Sequence, residues 1–176
     1  MSDFHYTLFK GNVFKELVKV LFEKSGYTVI PYGYENPFSN VKNRLNKKLE
    51  DSSRTARRIR HSPDLLIYDE QTEDVRLVEV KMSSYSTPQI RRIKQYQEFW
   101  GDAILVMVLP FENVFYAQEI SCLGIKDKYD PASDFERIQD VFAKIDLHSL
   151  KKYGNVATKL IEAMKSKEYT DAEQPQ

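Results

Sequence analysis

The chain is poor in the residues that staple or anchor a protein. It holds one cysteine, Cys122, which rules out an internal disulfide framework and any tetra-cysteine zinc or iron–sulfur site. A thiol-poor chain has its natural setting in a reducing cytoplasm, and a cytoplasmic protein is expected. No run approaches the ~18 consecutive apolar residues of a membrane span, and the opening MSDFHYTLFK lacks a signal-peptide pattern. The three histidines, His5, His61 and His148, are scattered at no spacing that suits zinc. Internal repeats are absent as well. What is plentiful is core-forming material: 41% of residues are hydrophobic, with 11 Tyr, 10 Phe and one Trp. At 176 residues, one domain is expected, able to bury about 70% of the surface its unfolded chain exposes.

Net charge is zero, which by itself gives no sign of an acidic partner, but the charge is unevenly spread. Between residues 40 and 61 stand Lys42, Arg44, Lys47, Lys48, Arg54, Arg57, Arg58 and Arg60, opposed only by Glu50 and Asp51. Residues 127–146 instead carry a surplus of acids. Clustered Lys and Arg match the phosphate spacing of a nucleic acid. The plainer reading of such a run is a solvated loop. Its position directly before Pro63-Asp64 favours a binding role.

The stretch SPDLLIYDEQTEDVRLVEVKM, residues 62–82, is the most informative. Two apolar runs flank the polar turn Glu70–Asp74, so Leu65–Tyr68 is expected to pair with Val75–Val78 in an antiparallel hairpin. Strand alternation then puts Glu79 and Lys81 on one face, with Val78 and Val80 on the other. Asp64, Glu79 and Lys81 would converge at a sheet edge. Magnesium takes hard oxygen ligands, commonly one or two carboxylates plus waters and phosphate oxygens. Asp64 and Glu79 could supply the carboxylates. Lys81 could orient a water and balance charge growing on phosphorus. The bland alternative is an ordinary hairpin with Glu79 and Lys81 on a solvated face.

These residues resemble the PD-(D/E)xK nuclease superfamily, of restriction-endonuclease-like fold. Pro63, Asp64, Glu79 and Lys81 carry the resemblance. Gly11 and Glu16, five residues apart on a first helix, resemble the arrangement in archaeal Holliday-junction-resolvase-like members. Gln95, on a basic helix after the second strand, is similar to the glutamine of many members. The resemblance implies an α/β fold with a central mixed sheet flanked by helices, and a Mg2+- or Mn2+-dependent DNA endonuclease. It implies Asp64, Glu79, the Val80 carbonyl and Glu16 as metal ligands. Lys81 and Gln95 would be catalytic partners, and Arg91 and Arg92 phosphate contacts beside the basic segment. A homodimer acting on DNA follows by analogy, with no membrane and no organic cofactor. A restriction or transposon-end-cleaving enzyme suits the same residues, as does a non-catalytic nucleic-acid-binding module.

The expected order is a helix over 8–25, a strand over 27–32, and a basic insertion over 35–61 with a short helix near 45–49. The hairpin, a helix from Pro88 to Trp100, a buried strand over 103–109 and a strand over 114–120 follow. Helices near 133–143 and 153–167 and a frayed tail from 171 complete one domain over 1–170, its core within 7–120. Cys122 reads as a small buried hydrophobe, and His61 as a surface residue or a nucleic-acid contact. Tyr27, Tyr32, Tyr34 and Phe38 read as core aromatics that could otherwise stack on bases.

Overall fold

The computed structural model describes residues 3–33, 53–90 and 92–172, with side chains described for 11–33, 53–90 and 92–164. Helix α1 (Asp3–Lys24) turns Phe14, Leu17, Val18, Leu21 and Phe22 inward. It ends at Gly26, whose φ of +85° suits a residue without Cβ. There the Tyr27 N–H returns to the Phe22 carbonyl, and the Ser25 hydroxyl donates to the Leu21 carbonyl at 2.8 Å.

The strands are β1 (Thr28–Pro31), β2 (Leu65–Asp69), β3 (Asp74–Met82), β4 (Ile104–Leu109), β5 (Val114–Glu119) and β6 (Glu136–Arg137). Among the described residues they form one sheet in sequence order, with β3–β4 its only parallel pair. A parallel neighbour requires a crossover, supplied by α3 (Ile93–Trp100). The mixed α/β class expected from the sequence is thus found. The hairpin register also follows expectation, with Leu65 opposite Val78 and Tyr68 opposite Val75.

Every residue of β4 is buried, as a central strand covered on both faces demands. Ile104, Val106 and Val108 join Val78, Val80 and the inner face of α1, together with the last helix, α6 (Leu147–Ala172). Leu105, Met107 and Leu109 pack on the other side with Ile93, Tyr96, Phe99 and Trp100 of α3. Leu77 packs with this second layer, so alternation carries Glu79 and Lys81 to the α3 side as well.

Several boundaries differ from expectation. The helix expected from Pro88 begins only at Ile93, because Arg92 sits at φ +68° and breaks helical continuity. The basic insertion contains α2 (Arg54–Arg60), capped by the Ser53 hydroxyl, which accepts the Ala56 N–H at 3.0 Å. The helix expected near 45–49, like Tyr34 and Phe38, lies outside the described residues. The segment expected as one helix over 133–143 is α4 (Pro131–Asp134) and α5 (Ile138–Val141), separated by β6. Helix α6 starts six residues early and runs into the expected tail. Cys122 is exposed on a 3-10 turn, not buried. Among the described residues no helix is long and apolar enough to cross a membrane.

Candidate active site

Strand β3 outruns its neighbour. Beyond the Leu65–Val78 pair, β2 has ended, while β3 continues against β4 to Met82. Asp64 stands at this step. Its carbonyl accepts the N–H groups of Tyr32 and Gly33 at 2.9 and 3.2 Å, which fixes the backbone. Its side chain then takes a strand's place on β3, with Oδ2 accepting the Val80 N–H at 2.9 Å. A strand residue points its N–H and C=O to the same side, so the Val80 carbonyl faces the Asp64 side while its side chain is buried in the opposite layer.

Glu79 is 3% exposed, a costly place for a carboxylate without partners. Its Oε1 accepts the Tyr96 hydroxyl proton at 2.7 Å and a hydrogen bond from the Lys81 ammonium. Lys81 also donates to the Tyr96 hydroxyl oxygen at 3.2 Å. Asp64 Oδ1 pairs with the Lys15 ammonium of α1 at 2.6 Å. Two acids, two lysines and one phenol thus gather where α1, β3 and α3 meet.

The protonation balance follows from burial and charge. Burial pushes the Glu79 carboxyl up from its usual range, and the Asp64 charge adds to this against the pull of Lys81 and Tyr96. Burial acts to lower Lys81, but the negative charges of Glu79 and Asp64 and the hydrogen bond to Glu79 outweigh it and hold the ammonium protonated well above its ordinary value. Burial, then Glu79, raises the Tyr96 hydroxyl, which stays a donor. In this state Lys81 is a cation and hydrogen-bond donor, not a base.

Of the residues singled out in the sequence, Asp64, Glu79, Lys81 and the Val80 backbone come together. Glu16 does not join them. Its side chain is exposed and pairs with Lys19 at 3.5 Å, while its neighbour Lys15 takes the place at Asp64. Gln95 is half-buried and lines an open groove on α3. Tyr96, the next residue, reaches Glu79. Arg54, Arg57 and Arg58 are exposed on α2, Arg60 is half-buried, and Arg92 is exposed. Lys42, Arg44, Lys47, Lys48 and Arg91 lie outside the described residues.

Helix α2 is docked on α3. The Trp100 Nε1–H donates to the Arg58 carbonyl at 3.2 Å, and the Arg58 guanidinium lies 4.7 Å from the Trp100 ring centre. Contrary to expectation, His61 is buried. It stacks on Phe99, meets Tyr96 edge-on, and its Nδ1 hydrogen-bonds the Arg57 carbonyl at 2.7 Å. Sequence reasoning thus missed Lys15, Tyr96 and the buried His61. A period-3.6 reading of 93–100 could have flagged Tyr96, whose inward face it shares with Ile93, Phe99 and Trp100.

No cluster of three or more His, Cys, Asp or Glu stands among the described residues. A cation here would draw on two carboxylates, a carbonyl and water, an all-oxygen set of the kind magnesium accepts. A buried carboxylate raised in pKa beside a second acid is also a group that a divalent charge would relieve. The donor chemistry therefore fits such an ion.

Fold and site together define a mixed-sheet α/β protein with a carboxylate–lysine cluster at a strand step. No family model matches the chain, and no curated protein does. Among solved structures it is similar to Hjc of Archaeoglobus fulgidus, a Holliday junction resolvase from an archaeal hyperthermophile. Identity is 15% and the TM-score 0.49, over 74% of this chain and 98% of that one. A likeness of this size carries no chemistry across.

Proposed function

We propose that the chain is a divalent-metal-dependent endonuclease that hydrolyses DNA phosphodiester bonds. One observation supports this most: Asp64 and Glu79, 15 residues apart, meet beside Lys81 at the step where β2 stops and β3 continues. Asp64, Glu79 and the Val80 carbonyl would hold Mg2+ or Mn2+. When bound, such an ion polarises a phosphoryl oxygen and brings the pKa of a bound water towards neutrality. The Val80 N–H aims the Asp64 carboxylate. Tyr96 fixes the rotamer of Glu79. Lys81, held protonated, orients the attacking water and balances negative charge developing on the phosphoryl oxygens. Gln95 would bond a phosphate oxygen from the neighbouring groove. Glu16 is left out of this set, since its carboxylate faces Lys19. The arginines of α2 hold the DNA backbone. A structure-selective, homodimeric enzyme is the form we favour, with a restriction or transposon-end-cleaving enzyme as the nearest variant.

One feature favours a second reading, a non-catalytic nucleic-acid-binding module. Each acid already has an ammonium partner, Lys15 for Asp64 and Lys81 for Glu79, so the fold is electrically balanced without a metal. Incubation with supercoiled, linear and branched DNA in magnesium, manganese or chelator separates the two. Metal-dependent cleavage that vanishes in Asp64→Ala and Lys81→Ala, with binding retained, is the outcome the endonuclease reading requires. Binding with no cleavage under either metal would leave the module.

A further inference from the structure

Beside the site, between the start of α3 and residues 125–128, runs an open groove of about 870 Å³. Arg92, Lys94, Lys126 and Lys128 line it, against one acid, Asp127. In a chain of zero net charge, that is a concentrated cationic surface. Lys126 is anchored to the wall by Asp134 at 2.5 Å and by the Tyr129 ring. No ion pair among the described residues takes up Arg92, Lys94 or Lys128, and all three are exposed.

We propose that this groove is a second polynucleotide-backbone site, continuing the α2 surface past the catalytic cluster so that the substrate is gripped on both flanks. The proposal deepens the endonuclease reading and rests on it. Two placements tie the groove to that path. Helix α2 docks on the C-terminal half of α3, with Arg57 over the Phe99 ring and Arg58 over the Trp100 ring, while the groove lies at the start of α3, so one helix carries both cationic surfaces. Gln95 lines the groove while Tyr96, one residue on, touches Glu79, so consecutive residues of α3 serve the groove and the cluster. Its chemistry suits phosphodiesters and not a small organic ligand, whose pockets are enclosed and mostly apolar. Cations without acid partners along an open channel instead provide the electrostatic term of backbone binding. The sequence alone could not have joined these pieces, since Lys126 precedes and Lys128 falls within the acidic stretch 127–146.

The test uses the full chain in chelator, with a fluorescent DNA duplex and anisotropy between about 50 and 200 mM salt. Lys94→Glu with Lys128→Glu is expected to flatten the slope of log affinity against log salt by about 2, one for each phosphate contact removed. Asp127→Lys, which adds a cation at the same place, is expected to steepen it by about 1. Arg57→Glu with Arg58→Glu reports on the α2 surface separately. If the α2 variant flattens the slope while the two groove variants leave it at the wild-type value, the groove is not a backbone site and the endonuclease reading stands. If wild-type protein shows no salt-dependent binding to any duplex or branched DNA, both fall together. The three groove residues are exposed, and unchanged thermal midpoints would confirm that the variants are folded.

Discussion

Replacing Lys81 by Met tests the electrostatic core of the site. The substitution keeps most of the side chain's volume and removes the ammonium that offsets Glu79. In the variant the buried carboxylate retains only the Tyr96 hydroxyl and must either stay charged at high cost or take up a proton. Protonation caps the cost at pH 7 at about 3.7 kcal/mol for a carboxyl of ordinary pKa near 4.3. Breaking a buried pair typically costs 3–5 kcal/mol. The Lys81 side chain is 35% exposed, so water screens the pair and a loss of about 2–3 kcal/mol is expected. For a chain of this size that is a fall of roughly 4–12 °C in melting temperature. The sign with pH is definite. Glu79 in the variant has its folded-state pKa further above its unfolded value, so its stability contribution is full below the unfolded value and lost as pH rises through the folded one. The gap between wild type and variant should shrink to about 1 kcal/mol or less near pH 5 and widen towards pH 8. Urea denaturation in chelator across that range measures it. A gap that is absent at pH 7.5, or constant from pH 5 to 8, would refute the view of Glu79 as a buried carboxylate held charged by Lys81.

Packing sets two further outcomes. Burial, aided by the charges of Arg92, Arg60 and Arg57 and resisted by the bond to the Arg57 carbonyl, lowers the His61 pKa below its ordinary 6.5. His61 should therefore lend stability that is full above pH 6.5 and drains away as pH falls towards its folded value; His61→Gln should lose that slope in denaturation curves, and an unchanged slope would place the titration elsewhere. Gly154 of α6 lies against the Asn113 turn, itself at φ +58°, and an added Cβ would stand 1.9 Å from the Asn113 side-chain oxygen and 3.0 Å from its carbonyl. Gly154→Ala should lower the melting temperature, although alanine is the better helix former by about 1 kcal/mol, and Asn113→Gly should restore part of the loss; a more stable single variant would contradict the contact.

Features with local periodicity were legible in the chain alone. The 62–82 hairpin, its register and the shared face of Glu79 and Lys81 follow from alternation with a period of two, and the buried β4 from an unbroken apolar run; neither pattern needs knowledge of distant partners. Which side chains complete the site was settled by packing, because it depends on how each helix is rotated against the sheet. Helical residues advance about 100° each, so the inward set Phe14, Leu17, Val18, Leu21 and Phe22 puts Lys15 roughly 90° from the buried centre and Glu16 roughly 170°. A stripe drawn through Val13, Leu17, Val20 and Leu21 instead swings that face by roughly 80° and brings Glu16 within apparent reach. The fully buried Phe14 and Phe22 set the true phase. The left-handed Arg92, which delays α3 and presents Tyr96 to Glu79, and the docking of α2 that buries His61 are likewise products of packing between segments remote in the chain, which no local pattern encodes.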